Sequence, residues 1–357
     1  MNGIRVGTDS TKLPGVMAGF GTMAHDAPWV LARADELGLE GVFFRDIRDL
    51  SPTLDAGELS DAVAAADERG LYIEAGAGKV NPFAMPEDAS IRALGDGDWL
   101  TGMTRKLEAA AGCGIRDVWA ATTNYQFRLR GLRACDRFRT DVTWPEQLAA
   151  TAKVLAMLAP VLRDLGLHLN LETHEEISSF ETVRLVEQAG PDAFGITFDS
   201  ANVVVRGEDP VAAAHRVAPY ARQTHLRDVV LVPHEHGIGR LIVPIGEGVI
   251  DWDAMLAALA AAPVRNYSIE GVFPGMKEEP GTEMSLFVDD AEWRASHVDL
   301  TDAELDWARG HAAEFATRDD LPSEESLRRT VTDEYSTGFI VRSADELRRR
   351  LAGRAEG

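Results

Sequence analysis

Four side chains that can bind a metal each stand at the end of a short apolar run typical of a strand. They are Glu172, Asp199, His225 and Glu270, separated by 27, 26 and 45 residues. The first two intervals fit one strand, one helix and two connections. Because a parallel barrel carries its chemistry at the C-terminal ends of its strands, four such ends could surround one divalent cation. For any single residue of the four, a helix cap or a solvated turn residue is the alternative.

Three carboxylates and one imidazole form a harder ligand set than the thiolate-rich structural zinc sites use. Mixed oxygen and single-nitrogen coordination suits Mn²⁺, Mg²⁺ or Co²⁺, with positions left open for substrate oxygens. Such an ion stabilises the enediolate that forms when a proton leaves the carbon next to a carbonyl. A carboxylate or imidazole beside the ion is the natural base.

Strand-like and helix-like patterns alternate along the chain, and each helix pattern ends at a glycine or begins at a cap. The predicted strands are 4–7, 41–44, 71–75, 117–120, 167–171, 194–198, 221–226 and 266–270. Eight such units predict an α/β fold, a (β/α)8 TIM barrel over residues 1–290. An open doubly wound sheet is disfavoured, because no glycine-rich phosphate loop follows the first strand.

Residues 291–357 are predicted to form a closing helix and a C-terminal helical extension packed on the barrel or on a partner. Capping-box spacings at Thr143, Thr301 and Ser343 predict helix starts, and the helix after Thr301 is expected to close the barrel. The long interval after His225 is predicted to be a loop. In it, His234 and His236 are expected either to be exposed or to form a lid over substrate.

Composition favours a soluble, cytoplasmic protein. The chain has 357 residues, of which 45% are hydrophobic, and it lacks both an apolar run long enough to span a membrane and a signal-peptide core. A net charge of −22 disfavours nucleic-acid binding. Cys113 and Cys135 lack a CxxC partner, so we expect two ordinary thiols and no zinc-thiolate site.

An arginine-rich segment, here called the arginine loop, covers residues 122–143. Its arginines are Arg128, Arg130, Arg133, Arg137 and Arg139. Internal ion pairs in a solvated loop are the simpler explanation. The alternative is a site for an anionic substrate group or for a partner subunit.

The motifs around these residues resemble the xylose-isomerase-like barrels, a group with sugar phosphate isomerases and epimerases, ketose 3-epimerases and inosose dehydratases. The motifs are Leu171-Glu-Thr-His174, Phe198-Asp-Ser-Ala-Asn202, Thr224-His-Leu-Arg-Asp228, Pro244-Ile-Gly-Glu-Gly248, Ile250-Asp-Trp252 and Ser268-Ile-Glu270. The resemblance covers about residues 1–290 and is most specific over 167–272. It implies that the four strand-end residues are the metal ligands. In the epimerase branch, Glu172 and Glu270 would also be the paired acid and base.

Two positions depart from the ketose epimerases. Asn202 stands where those enzymes carry a histidine three residues after the metal aspartate, and Leu231 where they carry an arginine six after the metal histidine. The chain instead has His174 two residues after Glu172, on the same side of the strand. His174 is a candidate catalytic residue, with a supporting or capping role as the alternative.

The chain also resembles a branch of the same superfamily, the larger subunit of the C-glycoside deglycosidases, and we favour this branch because the arginine loop and the C-terminal extension would suit a bulky substrate or a partner. The resemblance implies Mn²⁺, a 3-keto-C-glycoside that loses its aglycone by β-elimination, a small β-rich partner subunit and an oligomer. Isomerisation, epimerisation or inosose-type dehydration is the alternative, and a non-catalytic barrel subunit is a further one.

Four more residues are candidates for binding substrate. They are Arg45, Lys79, Asn202 and Arg227. For Arg45 and Lys79, structural ion pairing with Glu74 is the alternative.

Overall fold

A closed parallel barrel forms the centre of the molecule. The structure is a computed structural model that describes residues 3–19, 22–83, 89–123, 129, 131–272, 283–327 and 331–355. The barrel strands are β1 Arg5–Asp9, β2 Gly41–Phe44, β3 Tyr72–Lys79, β4 Asp117–Ala121, β5 His168–Glu172, β6 Phe194–Asp199, β7 Ala221–Leu226 and β8 Asn266–Ile269. Each pairs with its neighbours in chain order, and β1 closes the barrel against β8. The predicted TIM barrel is confirmed.

Helices connect the strands around the barrel. The α-helices are Ala27–Glu36, Ala56–Asp67, Ala89–Leu94, Trp99–Gly112, Trp144–Leu165, Ser179–Ala189, Asn202–Val205, Pro210–Val217, Trp252–Leu259, Ala291–Ser296, Asp302–Glu314, Glu324–Leu327 and Asp333–Ala355. Thr143 starts its helix through a capping box with Glu146, as predicted. Gly166 ends that helix at φ 63°, a left-handed conformation that glycine adopts without steric cost. None of the described helices is long and apolar enough to cross a membrane.

The barrel strands are buried on both faces, as is usual for parallel strands that helices cover. All six residues of β6 are buried, for example. The interior also holds a polar contact between strands that are not neighbours. Glu74 of β3 accepts hydrogen bonds from Ser268 (2.8 Å) and Asn266 (3.3 Å) of β8. Burial raises the pKa of Glu74 to about 7, although these hydrogen bonds lower it.

The segment after β7 is an antiparallel hairpin, so the prediction of a long loop was wrong. Strands Asp228–His234 and Gly237–Val243, here called the hairpin, pair along their whole length, and Glu283–Leu286 adds a third strand. Residues 229–232 are β-branched or leucine and are buried, a composition that suits a strand. His236 is exposed at the turn and His234 is half-buried.

Two helices after residue 290 differ from the expectation. Thr301 starts Asp302–Glu314 with a capping box, as predicted, but this helix packs on the hairpin. The helix against β1 and β8 is Asp333–Ala355, here called the C-terminal helix. Ser343 lies in its middle and accepts a hydrogen bond from the backbone of Ile245 at 3.1 Å, so the predicted helix start there was wrong. The proposed boundary near residue 290 stays a prediction.

Candidate metal centre

The four predicted ligands meet at one rim of the barrel. Glu172 and Asp199 end β5 and β6, His225 lies near the end of β7, and Glu270 directly follows β8. The strand register places Asp199 opposite His225. One ligand atom from each of the four residues lies within 4.8 Å of the others, and all four residues are buried. We call this group the quartet.

The chemistry of the quartet fits a divalent cation. Burial raises the pKa of Asp199 to about 7; Arg227 opposes this shift, while Glu270 and Glu172 add to it. Three carboxylates held this close repel one another, and a dication would offset that repulsion. The quartet could therefore bind a divalent metal ion.

Arg227 bridges two members of the quartet. Its guanidinium donates a hydrogen bond to Asp199, and its Nη2 lies 2.8 Å from Glu270 Oε2. Nη2 also donates to Asn202 Oδ1 at 3.0 Å, and the Asn202 amide nitrogen lies 3.5 Å from Glu172 Oε1. The two predicted substrate-binding residues of this region thus contact the quartet directly.

Arg45 and Lys12 approach Glu270 as well. Arg45 Nη2 lies 2.5 Å from Glu270 Oε1, and its Nε lies 2.9 Å from Asp9 Oδ2 at the end of β1. Lys12 Nζ lies 3.3 Å from the same Glu270 oxygen. Burial disfavours the charged carboxylate, but Arg227, Lys12 and Arg45 outweigh it and hold the pKa of Glu270 well below its ordinary value. Lys12 is a site residue that the sequence analysis missed.

Lys79 lies at the end of β3, where the strand extends further than predicted. Its ammonium donates a hydrogen bond to the carbonyl of Thr123, which follows β4. Burial lowers the pKa of Lys79. Glu74, the expected ion-pair partner, accepts instead from Ser268 and Asn266 inside the barrel.

Aromatic side chains hold Glu172 and His225. The indole nitrogen of Trp119 donates to Glu172 Oε2 at 2.8 Å, and His225 Nδ1 lies 3.1 Å from Glu172 Oε1. The ring of Phe43 packs 4.5 Å from that of His225. Trp119 is buried, and it also fixes a ligand. The position of Trp119 on the strand before β5 was the sequence signal that could have predicted this contact.

His174 lies beside the quartet in a network of its own. Its Nδ1 lies 2.5 Å from Glu176 Oε2 and 2.8 Å from Glu175 Oε2. Because carboxylates only accept, Nδ1 carries a proton. Burial lowers the pKa of His174, but Glu175, Glu176 and Glu172 outweigh it and raise that pKa well above its ordinary value.

Glu176 is itself fixed in place. Its Oε1 accepts hydrogen bonds from the hydroxyl of Thr122 and from the backbone nitrogen of Thr123 at 2.8 Å. The carboxylate therefore orients the His174 ring, and it leaves the second ring nitrogen for another partner.

The described arginines of the arginine loop all make ion pairs, but only one of these pairs is internal to the loop. The pairs are Arg133 with Glu292, Arg137 with Glu181, and Arg139 with Asp141. Arg137 also donates to the backbone of Ser296, which ties the loop to helix Ala291–Ser296. Arg128 and Arg130 lie outside the described residues. Cys113 and Cys135 are free thiols, as predicted.

Comparison with known proteins identifies a family. Residues 31–294 match the family described as the xylose isomerase-like TIM barrel. A curated relative is the uncharacterized protein YihM of Escherichia coli (strain K12), 24% identical over 202 residues, which covers 57% of this chain and 61% of the relative. The chain thus matches about three-fifths of the length of that relative.

Several solved sugar epimerases share the fold. A D-psicose 3-epimerase from Clostridium cellulolyticum H10 has a TM-score of 0.57 and 14% identity, over 87% of this chain and 99% of the other. A 3-keto-D-glucoside 4-epimerase from E. coli has a TM-score of 0.54 and 16% identity, over 86% and 99%. A D-allulose 3-epimerase from Methylomonas sp. has a TM-score of 0.53 and 13% identity, over 98% of each chain. At these identities, the likeness shows the fold alone.

Proposed function

Because the chain belongs to the xylose isomerase-like TIM barrel family, we propose that it is a divalent-metal-dependent enzyme acting on a sugar-like substrate. The reaction removes a proton next to a carbonyl. The observation that carries this proposal is the convergence of the four buried strand-end ligands at one rim of the barrel. A non-catalytic barrel subunit would have no use for such a set.

The chemistry divides between the ion and the chain. A bound dication, with Mn²⁺ preferred over Mg²⁺ or Co²⁺, would act as a Lewis acid on the carbonyl and stabilise negative charge on its oxygen. Glu172, Asp199, His225 and Glu270 would hold it. The ring of His174, fixed at Nδ1 by Glu176, would move the proton with its other nitrogen.

Elimination is the outcome that we favour. With a 3-keto-C-glycoside, the carbon next to the keto group would lose its proton and form a double bond to the anomeric carbon. The bond from the anomeric carbon to the aglycone would break and the released aglycone carbon would take up a proton, which is the C-glycoside deglycosidase reaction. His174 beside the quartet supports this choice, as do Asn202 and Leu231 in place of ketose-epimerase residues. A small β-rich partner subunit and an oligomeric assembly are parts of the same proposal.

Isomerisation, epimerisation or inosose-type dehydration is the second candidate. One observation favours it: Glu172 and Glu270 both converge in the quartet, as a paired acid and base would. The 3-keto-D-glucoside 4-epimerase that shares the fold also makes a 3-keto sugar a reasonable substrate to test for either outcome.

The test is proton exchange followed by product analysis. The Mn²⁺-loaded chain is incubated in deuterated water with a 3-keto-C-glycoside and, separately, with a free ketose. With the first substrate, we expect released aglycone and, in the substrate that remains, deuterium on the carbon next to the carbonyl; we expect neither after chelation. Conversion of the ketose alone would identify the second candidate.

The matched control is Glu172→Gln, which keeps the size of the side chain but removes a ligand charge. We expect no exchange with this variant. A metal-loaded wild-type chain that exchanges no proton in either substrate would contradict the proposed function.

A further inference from the structure

Two buried arginines share one acceptor beside the quartet. Asn202 Oδ1 accepts from Arg227 Nη2 at 3.0 Å and from Arg240 Nη1 at 3.4 Å. Arg240 comes from the second strand of the hairpin, and its Nη1 also donates to the carbonyl of Ala201 at 3.2 Å. The hairpin therefore brings a second guanidinium to the rim of the barrel.

Arg240 is an unusual buried charge. The residue is 1% exposed, and within the described parts of the chain it has no carboxylate ion-pair partner. Its Nε and that of Arg227 are buried and bind no acceptor among the described residues. Burial lowers the pKa of Arg240 to about 10; Arg227 adds to the shift, while the carboxylates of Glu175, Asp199 and Glu270 oppose it. A buried guanidinium is costly unless its donors are matched, and the described residues leave donors of both arginines for an oxyanion.

The charges around the quartet also favour an anionic ligand. Four cations lie together there, Lys12, Arg45, Arg227 and Arg240, with the five carboxylates of Asp9, Glu172, Glu175, Asp199 and Glu270. A dication in the quartet would bring this group to six positive charges against five negative ones. The ion would also share Asp199 and Glu270, the carboxylates that Arg227 now contacts. In a chain with a net charge of −22, such a local excess favours an anionic ligand.

We propose that Arg227 and Arg240 bind an oxyanion of the substrate, so that the enzyme acts on a sugar carrying a carboxylate or a phosphate group. This inference rests on the proposed function. The planar fork of a guanidinium matches both oxyanions through paired N–H donors. The side chain of Arg45, 29% exposed, marks the solvent side of the same group of charges. Asn202 would hold the two arginines at a fixed distance from the metal ligands.

The experiment compares matched sugars by calorimetry on the Mn²⁺-loaded chain. D-Glucuronate and D-glucose 6-phosphate supply the two oxyanions, and D-glucose is the neutral control. We expect at least one anionic sugar to bind about tenfold or more tightly than D-glucose, the size of one charge-assisted pair. Tighter binding of D-glucuronate would indicate a substrate with a carboxylate, and tighter binding of D-glucose 6-phosphate a substrate with a phosphate. Equal or undetectable binding of all three would overturn the proposal.

The variant Arg240→Met tests the assigned residue. It should lose the preference for the anionic sugar and keep Mn²⁺ uptake, while Arg240→Lys should keep part of the preference. Because Met removes an unmatched buried charge, the melting temperature without ligand should not fall. A lowered melting temperature, or an unchanged preference, would assign Arg240 to structure and overturn the proposal.

Metal uptake separates the two proposals. A wild-type chain that binds no Mn²⁺ contradicts the proposed function itself. A chain that binds Mn²⁺ and exchanges the proton, but shows no preference for the anionic sugar, contradicts only the role of Arg227 and Arg240.

Discussion

We propose that the imidazole of His174 moves the proton, because it lies beside the quartet and is not one of its four members. It lies two residues beyond Glu172, and Glu176 holds its Nδ1 at 2.5 Å. We expect His174→Ala to retain the metal content of the wild-type chain and to lower kcat by about 10²–10⁴-fold, the usual contribution of a general acid or base. Metal analysis and steady-state kinetics on the same preparation check this. Retained turnover would make His174 a structural residue.

On the proposed function, Glu176 would act on the reaction through the His174 ring, whose Nδ1 it contacts. The variant Glu176→Gln keeps the shape of the side chain but weakens the anchor of Nδ1, so we expect a smaller loss of kcat, about 10–100-fold, with KM nearly unchanged. Its pH–rate profile should shift together with the loss. A change in KM alone would show that Glu176 binds substrate.

At the scale of elements, Asp228 fixes the start of the hairpin to the turn that follows it. Its carboxylate accepts hydrogen bonds from the backbone nitrogens of Val229, Gly246, Gly248 and Ile250 and from the indole of Trp252. A Cβ on Gly248 would collide with this carboxylate. The Pro244-Ile-Gly-Glu-Gly248 motif is therefore explained by one buried acceptor.

We expect Asp228→Ala to lower the free energy of unfolding by about 3 kcal/mol or more, because several buried donors lose their acceptor. Urea unfolding measures this. Glu235→Gln, at the exposed hairpin turn, is the matched control and should change the free energy by less than about 0.5 kcal/mol. Equal stability of the two variants would show that Asp228 does not hold the hairpin.

His297 joins helix Ala291–Ser296 to Arg206, which follows helix Asn202–Val205, and we expect it to give the stability of the fold a pH dependence. Its Nδ1 donates to the carbonyl of Trp293 at 2.6 Å, and its Nε2 accepts from Arg206 at 3.2 Å, so the ring is neutral. Burial, with Arg137 and Arg206 nearby, lowers its pKa well below the ordinary value.

The unfolded chain therefore binds one more proton than the folded chain below the unfolded pKa of about 6.5. The contribution of the neutral ring to the free energy of unfolding is complete above that pH. It decreases as the pH drops through that value, by up to about 1.4 kcal/mol per pH unit. Urea unfolding between pH 5 and 7.5 measures the slope. We expect His297→Gln to flatten it, and an unchanged slope would contradict the role of His297.

The sequence predicted the barrel elements better than their departures from a regular barrel. Strands β1 to β8 carry local signals, namely apolar runs closed by glycines and caps. The hairpin was taken for a loop, because among the described residues its strands pair with each other and with Glu283–Leu286 and not with the barrel. Arg240 was missed for the same reason, since its partner Asn202 lies 38 residues away and no local pattern joins them. Ser343 shows that a capping-box spacing also occurs inside a helix.

At the scale of the molecule, the C-terminal helix connects the first and last barrel strands close to the quartet. The hydroxyl of Ser336 donates to the carbonyls of Lys12 (2.8 Å) and Val272 (3.1 Å), which flank the site on both sides of the closure. Gly271, next to Glu270, lies against Ile340. The helix thus supports two residues of the site, a link that spans more than 300 residues and that the sequence could not show.

The quartet itself was predicted from the sequence, because strand-end position and ligand type are both local. The residues that contact the quartet were predicted only in part. Arg45, Asn202 and Arg227 were predicted, while Lys12 and Trp119 were found only in the folded structure.

The central claim is that these four strand ends bind one divalent cation. The direct measurement is Mn²⁺ uptake by the metal-stripped chain, followed by calorimetry and thermal unfolding, with His225→Ala as the comparison. We expect one ion per chain and a stabilisation of about 2.7 kcal/mol at a free concentration of 100 Kd, with both lost in His225→Ala. A stripped wild-type chain that takes up no ion, or a His225→Ala variant that binds Mn²⁺ equally well, would contradict the claim.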